Sequence, residues 1–328
     1  MNYPLTLRRL RQNPLVRELS REVRVHSSQL IQPIFAVEGI AKREEVPGLT
    51  GVYRETPESL LLQIEKDLEA GVTKFLLFGV PSEKKEVGFS YEFTASVIQK
   101  IKAKFGEKVF LAVDVCLCSS TVHGQCGVLS DSHDHVLNDT TVEELARAAV
   151  TYARAGADCV APSDMMDGRI AAIRNSLEEA GLERTVLMSY SAKFHSRFYG
   201  PFRVAADSAP KGEVKLKDRA TYQIDAGRPS DALASSLRDA EEGADILMVK
   251  PGLPYLDVLA ELKREIPTLP WAVYEVSGEY AAIEVLAEKG LVSRVDAHVE
   301  SWTAFVRAGA SIIITYGARS AREWLGER

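Results

Sequence analysis

The sequence has no apolar run long enough to cross a bilayer, so no membrane-spanning helix is expected. It has no excess of positive charge either. Against 40 Lys and Arg stand 46 Asp and Glu, and the net charge of −6 argues against general nucleic-acid binding. The opening Met1-Asn-Tyr-Pro-Leu-Thr-Leu-Arg-Arg-Leu-Arg lacks the apolar stretch of a secretion signal. A cytoplasmic location is therefore expected, where cysteines stay as thiols or metal ligands rather than disulfides. Cysteine itself is scarce, with 4 in 328 residues. Otherwise hydrophobic content and charge are ordinary for a soluble globular enzyme, and the chain is long enough for a large core.

Scarcity makes the placement of the cysteines informative. Cys116, Cys118 and Cys126 follow an apolar run that ends in Asp114. Three thiols leaving the end of a buried strand can converge on one soft or borderline cation, and zinc suits thiolates best. Three protein ligands leave a fourth tetrahedral position for water or substrate, the arrangement of catalytic zinc. The alternative is three unrelated buried thiols. Cys159 opens a later apolar run and reads as core. The run Asp131-Ser-His-Asp-His135 has metal-ligand chemistry but reads as a solvated loop. His195 and His298 give no decisive signal.

One pattern recurs along the chain. A helical stretch ends in a small residue and a glycine (Gly71, Gly156, Gly243, Gly309), and a short apolar run follows. Eight such runs occur, at 31–37, 74–80, 109–115, 159–164, 185–191, 245–251, 270–277 and 311–316. Their unbroken apolar character fits strands buried on both faces. Helical patterns separate most of them, at 57–70, 91–104, 142–155, 168–180, 229–242, 254–265 and 279–289. Alternation of this kind predicts an α/β fold, a TIM (β/α)8 barrel over residues 29–328. A doubly wound open sheet is the other candidate, but no Gly-rich phosphate loop follows the first strand. Residues 1–28 are polar and Arg-rich, and form either an extension arm that packs on another subunit or a disordered tail.

A TIM barrel carries its active site at the C-terminal ends of the strands. Here those ends hold Asp114, Ser163-Asp164, Lys193, Lys250, Ser277 and Tyr316. An ammonium emerging from an apolar strand is partly desolvated, which leaves more free amine. A second ammonium nearby extends the effect, and a free amine attacks carbonyls to form Schiff bases. The stretch 193–219 is basic, with seven Lys or Arg against three Asp or Glu. It suits a carboxylate or phosphate clamp on an ordered lid; a solvated charged loop is the plainer reading.

Several strings, in order, resemble the porphobilinogen synthase (5-aminolevulinate dehydratase) family over nearly the whole chain. They are Asp114-Val-Cys-Leu-Cys, His123-Gly-Gln-Cys-Gly, Ala161-Pro-Ser-Asp-Met-Met-Asp-Gly-Arg169, Met188-Ser-Tyr-Ser-Ala-Lys-Phe, Phe198-Tyr-Gly-Pro-Phe-Arg203, Met248-Val-Lys-Pro-Gly, Val276-Ser-Gly-Glu-Tyr and Ile313-Ile-Thr-Tyr316. Arg8-Arg-Leu-Arg matches as well. The resemblance implies a lyase of tetrapyrrole (haem) biosynthesis that condenses two molecules of 5-aminolevulinate into porphobilinogen. Lys250 would hold the first substrate as a Schiff base and Lys193 the second. Tyr199, Phe202, Ser277 and Tyr316 would line the first site, with Ser277 and Tyr316 on its carboxylate. Arg203, Arg219 and Gln223 would grip the second carboxylate, and Asp114 and Ser163 would sit near the reacting groups. Cys116, Cys118 and Cys126 match the zinc-dependent branch. The family is usually octameric through its N-terminal arms, with hexamers and dimers also known.

The chain departs from the family pattern in places. Between Pro210 and Asp218-Arg219 it carries Lys-Gly-Glu-Val-Lys-Leu-Lys, a longer lid that lacks the usual Phe-Gly. Val204 replaces an aspartate, and Glu275 stands where the family has His or Gln. Ser235 aligns with the glutamate that binds allosteric magnesium, so that magnesium site is expected to be absent. Two other readings compete: a class I aldolase, which needs one lysine and no zinc, and a catalytically dead barrel that keeps zinc for structure and binds partners.

Overall fold

The computed structural model describes residues 7–212 and 214–327. The first six residues of the expected arm, and Glu213 of the lid, lie outside the described residues.

The eight apolar runs form eight parallel strands: β1 Leu30–Val37, β2 Lys74–Val80, β3 Phe110–Val115, β4 Cys159–Pro162, β5 Val186–Lys193, β6 Ile246–Lys250, β7 Trp271–Tyr274 and β8 Ile312–Ile314. Each pairs with the next, and β8 closes on β1 through Leu30↔Ile313 and Ile31↔Ile314. The sheet is therefore the expected TIM barrel. An open doubly wound sheet would leave β1 and β8 unpaired.

Helices cover the outside: α1 Pro57–Glu69, α2 Glu92–Phe105, α3 Asn138–Arg154, α4 Arg169–Glu179, α5 Pro229–Glu241, α6 Leu256–Glu265, α7 Ser277–Glu288 and α8 Arg294–Ala308. Gly309 ends α8 at φ 115°, a left-handed position that side chains resist. Gly71, Gly156 and Gly243 also have positive φ, as the repeated pattern requires. Of α8 the sequence pattern marked only the C-terminal end at Gly309, not its extent. Two short strands, Glu44–Glu45 and Tyr53–Glu55, were unmarked and pair antiparallel beside β1.

Apolar residues fill two layers. One lies between strands and helices, with Leu60, Ile64, Val97, Ile101, Leu145, Ile173, Leu259 and Phe305 facing the sheet. The other fills the barrel interior, with Phe35, Phe78, Cys159, Met188, Tyr190, Met248 and Tyr274. Cys159 is thus core, as read from the sequence. The arm is different. Its turn Leu7–Arg11 and short helix Pro14–Leu19 bury nothing. Leu15 and Leu19 are 77% and 83% exposed.

The motif Asp164-Met-Met-Asp-Gly-Arg169 builds a buried charge cluster under the barrel wall. Arg169 is fully buried and bonds Asp239 at 3.1 Å, Ser189 at 3.3 Å and the Met166 carbonyl at 2.9 Å. Asp164 lies 3.7 Å from its Nε, and burial pushes the Asp164 carboxyl up to about 6 against that cation. Removing one partner leaves a buried charge uncompensated. Arg169→Ala is therefore expected to lose about 3–5 kcal/mol of stability in urea unfolding; a loss under 1 kcal/mol would show that the cluster is not a structural anchor.

Candidate functional site

Strands β5 and β6 set the two lysines. Their pairing shifts register between Ser189 and Ala192, and the shift places Lys193 directly across from Lys250. Both side chains are buried, at 5% and 4% exposure. The Lys193 ammonium donates a hydrogen bond to the Ser163 carbonyl. Lys250 Nζ sits in an aromatic box. It lies 4.0 Å from the Tyr274 ring centroid, 5.0 Å from Tyr190 and Phe202, and 5.5 Å from Tyr199. Burial and the neighbouring Lys193 charge hold the Lys250 amine down to about 7, while Asp114 and Cys118 pull the other way. Near neutral pH a large share of it is free amine, the form that attacks a carbonyl.

Asp114 is the penultimate residue of β3 and feels the charges of both lysines. Burial raises its carboxyl to about 6; Lys193, Lys250 and a hydrogen bond from Ser163 oppose the rise. Its Oδ1 is buried without a partner. A carboxyl poised near neutrality with one free oxygen can exchange protons with a bound molecule.

The loop after β3 brings the Sγ atoms of Cys116, Cys118 and Cys126 within 4.8 Å of one another. Thiolates at about 2.3 Å from one tetrahedral ion stand roughly 4 Å apart, so the donor set fits such an ion with little rearrangement. Hydrogen bonds from Cys116 and Cys118 hold the Cys126 thiol well below its usual range, and the Arg219 charge adds to this. The Cys116 thiol is pushed up by the same contacts. These three form the sole such cluster among the described residues. The run Asp131–His135 is mostly exposed and takes no part.

A second group faces the thiols from the lid. Arg219 is 3% exposed and donates Nη2 to the carbonyls of Gly124 at 2.9 Å and Ser208 at 2.6 Å. Its Nε, the Nε of Arg203 and both amide atoms of Gln223 are buried without partners. Burial and the Arg219 charge lower the Arg203 pKa. Buried donors with unspent capacity await an acceptor, and two guanidinium groups with an amide suit a carboxylate.

The residues expected around the first substrate divide. Tyr316 Oη lies 3.4 Å from Tyr274 Oη and stays within the aromatic wall. Phe202 packs edge-on against Phe78 at 5.1 Å and caps Lys250. Tyr199 spends its hydroxyl on the Phe194 carbonyl at 2.7 Å, so it offers its ring face. Ser277, expected at a strand end, opens α7 instead. Its Oγ accepts from the Phe202 amide at 3.0 Å and donates to the Phe198 carbonyl at 3.3 Å. The approach is close because Gly278 has no side chain; a Cβ there would stand 2.6 Å from the Phe198 oxygen.

The supporting roles of four residues escaped the sequence reading. Tyr190 is fully buried in the Lys250 box, and its hydroxyl has no partner. Glu279 accepts amides from Gly252, Leu253 and Val276 at 3.2, 2.5 and 2.7 Å, and so pins the turn after Lys250. Burial still raises Glu279 to about 8. His298 bonds Glu284 at 3.0 Å and lies 3.6 Å from Glu275. Burial alone would lower its pKa, but Glu275 and Glu284 together turn the shift upward. Glu275, a departure from the family pattern, accepts hydrogen bonds from Thr315 at 2.5 Å and Trp302 at 3.2 Å. It thereby fixes the residue before Tyr316. Glu279 and Tyr190 lay within the quoted motifs Val276-Ser-Gly-Glu-Tyr and Met188-Ser-Tyr-Ser-Ala-Lys-Phe, and Glu275 stood out as a departure, but none of these signals gave the roles seen here.

Comparison with known proteins agrees with this geometry. Residues 5–324 match the family model described as delta-aminolevulinic acid dehydratase. The delta-aminolevulinic acid dehydratase of Bacillus subtilis is 41% identical over 324 residues, covering 98% of each chain. That of Synechococcus elongatus is 42% identical, covering 97% of this chain and 98% of the relative. The crystal structure of the Toxoplasma gondii enzyme, solved in complex with the reaction product porphobilinogen, superposes with a TM-score of 0.91. It shares 40% identity over 98% of this chain and 92% of its own. With the fold, the full-length sequence match and the solved relative in agreement, the chain belongs to the delta-aminolevulinic acid dehydratase family of lyases.

Proposed function

We propose that this chain is a porphobilinogen synthase that condenses two 5-aminolevulinate molecules through Schiff bases on Lys250 and Lys193. The observation that carries the reading is the pair of buried, register-matched lysines, one of them held near neutrality. The free Lys250 amine attacks the keto carbon of the first substrate, and loss of water leaves an imine. The aromatic box of Tyr190, Tyr199, Phe202 and Tyr274 excludes bulk water from it. Lys193 takes the keto group of the second substrate in the same way. Protonated imines act as electron sinks, so a carbon beside one can lose a proton and attack the other. Asp114, poised at about 6, accepts and returns that proton, with Ser163 steering its carboxylate.

The two substrate carboxylates go to opposite sides. Arg203, Arg219 and Gln223 receive the second, meeting their unspent hydrogen-bond capacity. Ser277 and Tyr316 receive the first, for which the Ser277 hydroxyl exchanges its backbone contacts at Phe198 and Phe202. Cys116, Cys118 and Cys126 would hold zinc, which supplies a Lewis acid or an acidic bound water beside the second site when present. A three-thiol site calls for a reducing compartment, in keeping with the cytoplasm. The exposed leucines of the arm suit contact with a second copy, and an octamer is the expected assembly. Ser235 takes a hydrogen bond from Arg238 at 3.2 Å and offers no carboxylate, so added magnesium should leave the rate unchanged.

The test is direct. Purified protein given 5-aminolevulinate should form porphobilinogen, lose that activity to a zinc chelator and regain it with zinc. Folded, zinc-loaded protein that makes no product would overturn the reading. Lys250→Ala should abolish turnover and the borohydride trapping of substrate at residue 250; full activity would remove Lys250 from the mechanism.

Protonation gives a further outcome. The ammonium form cannot attack, so trapping at Lys250 should rise with pH through about 7. Lys193→Met removes the neighbouring cation, and the limb of the trapping profile should move to higher pH. An unmoved limb would mean that the two lysines do not sense each other. Cys118→Ala should lose bound zinc and turnover together; metal-free protein that remains active would exclude zinc from the chemistry.

A further inference from the structure

The thiol loop and the lid are fastened to each other at four consecutive residues, beginning with the His123 carbonyl, which accepts from the Lys211 amide at 3.1 Å. The Gly124 carbonyl accepts from Arg219 of the lid at 2.9 Å. Gln125, fully buried, donates its amide to the Leu216 carbonyl at 3.0 Å. Its Oε1 accepts from the Tyr222 hydroxyl at 2.7 Å, and that hydroxyl in turn accepts from the Cys126 amide at 3.1 Å. One phenol thus bonds both to a residue carrying a candidate ligand and to the side chain that holds the lid. The lid backbone also rests on the loop. Gly124 has φ 71°, and a Cβ there would stand 2.4 Å from the Ala209 oxygen. Leu216 and Val214 belong to the stretch that lengthens this lid, and both are buried at 7% exposure.

We infer that Tyr222 and Gln125 are positioning residues that couple metal occupancy of the thiol loop to closure of the lid. This rests on reading Cys116, Cys118 and Cys126 as a metal site. A metal on Cys126 fixes the backbone of residue 126, and so fixes the amide that Tyr222 accepts. Tyr222 then orients Gln125, and Gln125 holds Leu216. Ordering a loop costs conformational entropy, and a loop already ordered by one event need not be ordered again by the next. The coupling is reciprocal: a closed lid raises metal affinity by the factor by which metal favours closure.

The test uses the full chain stripped of metal. Zinc affinity is measured against a competing chelator, and lid opening by limited trypsin digestion at exposed Lys211 and Lys215. In the wild type, zinc should slow lid cleavage by roughly tenfold. Tyr222→Phe should weaken zinc binding by about tenfold, the scale for residues that orient metal ligands, and should abolish the protection. Cobalt should still give a thiolate absorption band in this variant, since all three sulfurs remain. Gln125→Met, near in shape, should also lose the protection, and it serves if Tyr222→Phe does not fold. Equal protection by zinc in the wild type and in a folded variant would overturn the coupling, as would absence of protection in a zinc-loaded wild type. A wild type that binds no zinc would sink the metal reading itself, and the inference with it.

Discussion

Two buried lysine side chains facing each other inside a barrel define this structure. Water would screen them, and the barrel mouth removes the water. The pair is tolerable only because one member gives up its proton and because negative groups surround it. Asp114 and, as a thiolate, Cys118 supply that compensation. The Tyr274 ring face, 4.0 Å from Lys250 Nζ, favours whatever cationic form remains. The register shift in β5 is what brings the two lysines level. Most of the chemistry assigned here follows from that single displacement.

Each lysine also depends on what lies behind it. Lys250 ends a strand whose following turn is pinned through three amides by Glu279. Lys193 is held against the Ser163 carbonyl. The Ser163 side chain in turn opposes the upward shift of Asp114, so the acid and one amine share a neighbour. The thiol loop leaves the same strand as Asp114 only two residues later. Acid, amines and thiols are therefore parts of one packed unit, held by β3, β4, β5 and β6.

Much of this was legible in the sequence. Strands buried on both faces are apolar throughout, so all eight runs marked their strands to within a few residues. The thiol cluster was legible because its members are close in sequence. Of helix α8 only the Gly309 end was legible, because His298 and Ser301 occupy its buried face beside Trp302 and Phe305, which interrupts the apolar period. The role of Glu275 was hidden for a related reason. Its partners Trp302, Thr315 and His298 come from other elements, and only folding brings them together. The Ser277 assignment shows a different limit. The motif gave its identity, but the hydroxyl is engaged by the backbone of residues 198–202, and nothing local announces that contact. Tyr190 could not be separated by pattern from the apolar strand that carries it.

The seam between β1 and β8 has a consequence in time. One edge of β1 finds its partner in β2 soon after both leave the ribosome, and the Phe35–Ala36 part of the other edge pairs early with Tyr53–Glu55, but its Leu30–Ile31 part waits for Ile313 and Ile314. At about 5–20 residues per second, that wait is on the order of tens of seconds. Throughout it the nascent sheet carries an open, apolar, hydrogen-bonding edge of the kind that invites pairing with other chains. The barrel has no edges once complete, yet it is built as an edge, and its eighth strand decides when that exposure ends.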